Sequence, residues 1–455
     1  MLADKVSTAT LGLWLLIPEH LRLGTWDLLL GWSRRTTERV EPRLAMQLVH
    51  EAALCTTGVR SKRSLTQRGF ALSNGLPFIA SDGSIHELLN GHTVAESEHL
   101  QQTLGQLRRT SGHYAGKILL IDPHRMRSYS QRDMRRRRKH KHSKVEKTAQ
   151  VFFALDGDTG QPVCFTTGTP SRTVTQATPH LLELAAAILG QPSQPILTLA
   201  DAEHFTAELV DEVHRQTGFD LLVPMVLKPS FRRKLQLMGP EEFTPRWAGY
   251  ATTKLPYRFH KSQAGPFTLF VQRTGERRRD WHFKAFLCTR DRDEVDALTV
   301  DYPKRWHIEE FFNLEQRLGW ERAGTQNLHI RYGRMTLALV AQTVLQQLRQ
   351  RLGDPVRTWE SAISPTHCCT DSKATCASPP TPSLSLITMP RTPTAYARTT
   401  RDCPRNCGPK MSTPKSPGSS TTCSTFASAD PPAAAAAVTG PIIRGRKMAG
   451  AHMIA

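Results

Sequence analysis

Lys117-Ile118-Leu119-Leu120-Ile121-Asp122 is a short apolar run that ends on an acid. Four successive aliphatic residues are too few for a buried helix and predict a strand covered on both faces. Outward from it, residues 150–155 (QVFFAL) predict a second strand and residues 162–166 (PVCFT) a third. Asp156-Gly157-Asp158-Thr159-Gly160 between them has turn chemistry, so these two strands form a hairpin. Residues 178–189 predict a helix with a Thr-Pro start and Gly190 at its end. Residues 195–201 (PILTLAD) are a fourth strand, again ending on an acid. A helix over 205–216 and a fifth strand over 220–225 follow.

The order β-β-β-α-β-α-β is that of a ribonuclease-H-like domain, an α/β fold with a mixed sheet flanked by helices. Residues 230–300 break the alternation with short strand-like runs between charged turns, which predicts an inserted, mainly β subdomain. Residues 1–115 read as a helical N-terminal region, with helices near 43–54, 85–89 and 96–109. The basic turn at 57–67 (TGVRSKRSLTQ) suits either a helix-turn-helix that binds DNA ends or an ordinary helical cap. The α/β domain is expected to span 116–353, ending in an amphipathic helix over 337–352. From Pro365 to Ala455 there are thirteen prolines and two aromatics, too little apolar surface to offset chain entropy. The tail over 354–455 is therefore expected to be disordered, and so abrupt a change of composition suggests a frameshifted extension. Its cysteines lack the paired C-x2-C spacing of a zinc site.

The 455 residues carry a net charge of +20, which favours a polyanionic partner, nucleic acid or an anionic membrane face. The most apolar N-terminal run, 11–17, is too short to span a bilayer and has no signal-peptide cleavage pattern. Only Cys55, Cys164 and Cys288 precede residue 360, which fits a reducing compartment. These features predict a cytoplasmic, nucleoid-associated protein. Between Arg125 and Lys147 lie eleven Lys/Arg against Asp133 and Glu146, including Arg135, Arg136, Arg137, Arg138 and Lys139. Such a run is ordinarily a solvated loop or a localisation signal. Its place beside the first strand favours contact with the DNA backbone. Trp281, next to Arg277–Arg279, is a candidate for stacking a flipped base or, equally, a core residue of a hairpin.

Asp122 and Asp201 close the first and fourth strands, which are neighbours in the expected sheet. Either aspartate alone is most simply a cap or loop residue. A third acid arrives with Tyr302-Pro303-Lys304-Arg305-Trp306-His307-Ile308-Glu309-Glu310-Phe311-Phe312, a helix with Pro303 in its first turn. Tyr302, Arg305 and Glu309 sit at i, i+3 and i+7 on one face. Three carboxylates from two strands and a helix suit Mg2+ or Mn2+ and in-line phosphoryl transfer. Asp82 ranks below Asp122 because a helix, not a hairpin, follows it. Asp156 and Asp158 are turn residues and Glu310 is off the shared face; Glu203 and His204, just after Asp201, suit either support of the site or, more simply, a surface role at a strand–helix junction.

The helix motif resembles the Y-x2-R-x3-E-x6-K signature of DDE transposases of the insertion-sequence IS-four type, matched by Tyr302, Arg305 and Glu309. The pattern R-W-x-I-E-x-x-F is matched by Arg305, Trp306, Ile308, Glu309 and Phe312, and Asp122 and Asp201 match the two aspartates in kind and order. The likeness covers about residues 115–350. It implies a metal-dependent transposase that nicks and transfers double-stranded DNA, with element ends and target as partners and a homodimer in the synaptic complex. The family's lysine falls at Gln316, and Arg317 beside it is the residue left to supply that phosphate contact. The rival readings are a ribonuclease-H-like nuclease without strand transfer and a non-catalytic DNA-binding remnant.

Overall fold

The computed structural model describes residues 5–8, 11–33, 42–54, 70–71, 74, 79–128, 130–131, 133–134, 136–138, 144–169, 171–190, 193–216, 218–260, 262, 264–315, 318–320, 325–354 and 374–377. The strands are β1 (Lys5–Thr8), β2 (Ile118–Arg127), β3 (Arg136–Arg138), β4 (Val145–Asp156), β5 (Pro162–Thr167), β6 (Ile196–Leu199) and β7 (Phe219–Met225). They continue with β8 (Thr244–Trp247), β9 (Tyr250–Tyr257), β10 (Phe267–Thr274), β11 (His282–Cys288) and β12 (Ala374–Ala377). The α-helices before the sheet are α1 (Ile17–Leu23), α2 (Thr25–Ser33), α3 (Pro42–Ala53), α4 (Asp82–Gly91) and α5 (Val94–Thr110). Those after it begins are α6 (Val174–Leu189), α7 (Ala207–Arg215), α8 (Pro229–Leu237), α9 (Trp306–Glu315) and α10 (Leu328–Leu352).

Ten strands form one mixed sheet in the order β3-β4-β2-β6-β7-β11-β10-β9-β8, with β5 also on β4. The pairs β2–β6 and β6–β7 are parallel and the others antiparallel. The expected mixed sheet flanked by helices is thus present, as in a ribonuclease-H-like fold. The β-rich residues after 240 do not form a separate layer: β11 pairs with β7, so the four later strands lengthen the same sheet.

Alternation along the strands builds two cores. Leu119 and Ile121 join Phe152, Ala154 and Leu221 under α6 and α7. Ile118 and Leu120 join Phe153, Leu155 and Leu199 on the opposite face, under α9 and α10. Because side chains repeat with period two, Asp122 falls on the face of Ile118 and Leu120, toward α9. α10 is buried almost all round and carries α1, α3, α4 and α5 on its other sides. Its Arg331 is fully buried and donates to Thr167 Oγ1 and Gly168 O at 2.8 and 2.9 Å, which pins α10 to the end of β5.

Several elements differ from expectation in extent. α6 starts at Val174, four residues early, because Thr173 and Gln176 make a capping box, and Pro179 is carried inside the helix. α10 begins at Leu328, capped by Asn327. Of the tail, only Asp354 and Ala374–Ala377 are described, the latter as a strand antiparallel to Lys5–Thr8; the rest lies outside the described residues, as does the basic turn at 57–67. Among the described residues no helix is long and apolar enough to cross a membrane.

Candidate active site

Asp122 does not end its strand. β2 runs on to Arg127 against β4, with Asp122 opposite Phe153, whereas its pairing with β6 stops at Leu120–Leu199. The acid therefore marks the point where β6 leaves and the sheet opens. Past it, Pro123, His124 and Arg125 have no apolar pattern, and their extension follows from backbone pairing with β4.

Asp201 lies two residues beyond β6 and caps the 3-10 turn Ala202–His204, accepting from the Glu203 N–H at 3.0 Å. His204 Nδ1 lies 2.7 Å from Asp201 Oδ1, and the His204 ring is buried. Burial disfavours the Asp201 charge. The His204 hydrogen bond and charge, the Glu203 N–H and Arg305 outweigh it and hold the carboxyl below its usual range.

The third acid is delivered by a compound helix. A π-turn (Asp296–Asp301) passes into a 3-10 turn (Tyr302–Arg305) and then into α9. Ile308, Phe311 and Phe312 bury one stripe of α9. Phe153, the residue opposite Asp122, meets Phe311, Phe312 and Trp320 at centroid distances of 5.8, 5.4 and 4.9 Å. His124 stacks on Phe312 at 4.3 Å. Lys304 reaches Asp158 at 2.8 Å and His307 reaches Gly157 O at 3.2 Å, so the start of α9 is held to the β4–β5 turn.

This docking places Arg305 between two acids. Its Nη2 donates to Glu309 Oε1 at 2.6 Å, and its Nη1 lies 3.6 Å from Asp122 Oδ1. Burial raises the Asp122 pKa to about 8; the neighbouring charges of Asp201, Glu309 and Glu203 add to the rise and Arg305 opposes it. Tyr302 donates to Ala200 O at 3.3 Å and packs edge-on to Phe286. Burial pushes its phenol up to about 12, with Arg305 opposing.

Asp122, Asp201, Glu309, Tyr302 and Arg305 are thus brought into one neighbourhood. Among the described residues no three His, Cys, Asp or Glu side chains are gathered tightly enough to hold a metal as they stand, since Glu309 is drawn to Arg305 and Asp201 to His204. The donor chemistry nevertheless suits a hard divalent cation: three carboxylates share one neighbourhood, and burial first, then the charges of Asp201 and Glu309, hold the Asp122 carboxyl up.

The other candidates fall elsewhere. Arg136–Arg138 form an edge strand on β4, not a loop, and Arg136 is exposed. Arg135, Lys139, Gln316 and Arg317 lie outside the described residues, as do the side chains of Arg137 and Arg138. Trp281 immediately precedes β11, with Arg273 at 4.1 Å over its ring, and is not joined to the acids. Asp82 opens α4 and Glu310 is exposed. Asp156 caps the β4–β5 turn, accepting from the N–H groups of Gly116 and Thr159. His204, expected more simply at the surface, is instead buried and bonded to Asp201, whereas Glu203 stays exposed; the signal was a histidine three residues after a capping aspartate.

Residues 113–343, just over half of the chain, match the family model described as Transposase DDE domain. The chain belongs to that family. All five residues gathered here fall inside the matched region. The solved structures similar to it include a piggyBac transposase synaptic complex with hairpin DNA, studied by cryo-EM. That likeness has a TM-score of 0.35 and 10% identity, and covers 77% of this chain and 70% of the other. No curated protein matches the chain.

Proposed function

We propose that this member of the transposase DDE domain family is an insertion-sequence transposase of the IS-four type. It would cut double-stranded DNA at element ends and join it to a target, as a homodimer. Asp122, Asp201 and Glu309 would hold Mg2+ or Mn2+. The observation that carries this reading is Arg305 held between Asp122 of the sheet and Glu309 of the helix, with Asp201 beside them. An acidic cluster that already gathers positive charge is what a divalent cation requires.

Bound cations supply charge stabilisation at the phosphate and a more acidic attacking hydroxyl. The protein's own part is orientation. His204 and the Glu203 N–H fix the Asp201 carboxylate in one rotamer. With its carboxylate partners engaged elsewhere, Arg305 presents a planar fork of donors to non-bridging phosphate oxygens. Tyr302 would have to turn its single O–H from Ala200 O to reach a phosphate oxygen. Arg317, beside Gln316, would complete the phosphate contacts, and Arg135–Lys139 the backbone contacts next to β2.

The test is a cleavage and strand-joining assay on end-containing DNA, with and without Mg2+, for the wild type, Asp122→Asn and Glu309→Gln. Metal-dependent cutting and joining that both variants abolish is the expected result. Cutting that survives Glu309→Gln would overturn the site. Cutting without joining would indicate a plain nuclease, and no cutting a DNA-binding remnant.

A further inference from the structure

A second basic surface lies on the opposite side of the carboxylates from the 125–147 run. α8 follows β7 directly, and from Lys228 to Pro240 the chain has four cations and no acid. Lys228, Arg232, Arg233 and Lys234 are exposed, and among the described residues none of them pairs with a carboxylate. Arg278 donates to Gln236 O at 3.4 Å, which fastens the exposed turn Arg277–Arg279 to the end of α8. The acids of this region are few and partly engaged: Glu242 caps Gly239 N and Asp280 neighbours Arg279, leaving Glu241 and Glu276. Seven exposed cations (Lys228, Arg232, Arg233, Lys234 and Arg277–Arg279) against four acids leave a positive field here, which attracts a polyanion.

The topology fixes the end of the sheet at which this surface lies, while Leu235 of α8 packs with Leu119 and Ile121 on the face opposite Asp122, so only a duplex laid along that end touches both this surface and the acids. β2, β6 and β7 are parallel, so their C-terminal ends share one end of the sheet. Asp201 follows β6 and α8 follows β7 at that end. The β10–β11 turn projects past it too, because Ala285 pairs with Met225, the last residue of β7. The acids therefore sit between a basic flank on β2–β4–β3 and another on β7–β11. From β4 to β11 is four strand spacings, roughly 19 Å. That is the length of about six base pairs along a duplex.

We propose that α8 and the Arg277–Arg279 turn bind the phosphate backbone of the same DNA duplex that the 125–147 flank holds, so that the duplex lies across the carboxylate site. This rests on the function proposed above. The surface reads backbone and carries no sequence preference, since its donors are long side chains on an exposed helix.

The test is fluorescence anisotropy with a labelled duplex of about 30 base pairs, without metal, over roughly 0.05–0.3 M salt. The full chain is compared with the triple variant Arg232→Gln, Arg233→Gln, Lys234→Gln. Every phosphate left without its cation should lower the slope of log K against log salt by about 0.9, so the triple variant should bind with a slope smaller by about 2 to 3. A double variant, Arg109→Gln with Lys117→Gln, changes charge at the end of the sheet where β2 begins and should leave the slope unchanged. Equal slopes for the triple variant and the wild type, or an equal decrease per charge in the control, would overturn the proposal while leaving the carboxylate site standing. A wild type that binds no duplex at all would instead overturn the functional reading, and this surface with it.

Discussion

Arg305 donates to Glu309 across 2.6 Å while its other nitrogen stands 3.6 Å from Asp122. It is the cation nearest to the crowded acids, half-buried with them. Removing it by Arg305→Ala should destabilise the protein by about 1–3 kcal/mol, because the carboxylates lose their counter-charge. Millimolar Mg2+ should then raise the melting temperature of the variant more than that of the wild type, since cation and guanidinium serve the same acids. Thermal unfolding with and without Mg2+ reads this directly, and equal responses would refute it.

His204 should matter through Asp201. His204→Ala opens a cavity and strips the carboxylate of its side-chain donor, at a cost of about 2 kcal/mol. Strand cleavage should fall about tenfold or more as Asp201 loses its fixed orientation. His204→Gln, which keeps a donor, should recover part of the rate. Matched losses for the two variants would refute the hydrogen-bond role, since the glutamine keeps a donor and most of the volume.

A buried histidine pair makes the N-terminal helices sensitive to acid. His20 and His50 meet Nε2 to Nε2 at 3.0 Å, with Thr25 on His20 and Asn74 on His50. Burial, and secondarily His50, pushes the His20 pKa down to about 3. The unfolded chain takes up a proton near pH 6.5 and the folded chain does not, so this contribution is complete above pH 6.5 and is lost as pH falls toward 3. Within that window it shrinks by about 1.4 kcal/mol per pH unit. Urea unfolding at pH 7, 6 and 5 should show a shallower decline for His20→Gln than for the wild type.

Phe153 couples core to site. Phe153→Ala should cost about 3–5 kcal/mol and loosen α9, lowering cleavage as well as stability. Phe153→Leu should cost less than about 1.5 kcal/mol and keep the helix seated. Amide exchange in α9 distinguishes the two: only the alanine variant should exchange faster there.

The apolar runs made the central strands legible, and period two is why Ile118, Leu120 and Asp122 share a face. The Arg305–Glu309 pair was legible because helix neighbours at i,i+4 are local. What the sequence hid was non-local. The length of β2 depends on backbone pairing with β4, which leaves no mark on side chains such as Pro123 and Arg125. The choice of β7 as partner for β11 has no local signature either, so the strands after 240 read as a separate unit. His204 was hidden because a lone histidine carries no pattern.

α10 has one more consequence, and it concerns synthesis. The helices between Ile17 and Thr110 bury their apolar sides against a segment that begins only at Leu328. At ribosomal rates the 218 residues from there to Leu328 (328 − 110) take roughly ten to forty seconds to appear. During that interval the nascent helices hold greasy surfaces with nothing to cover them. The protein should therefore lean on holding chaperones while it is being made, and messages cut short before Leu328 should yield insoluble product.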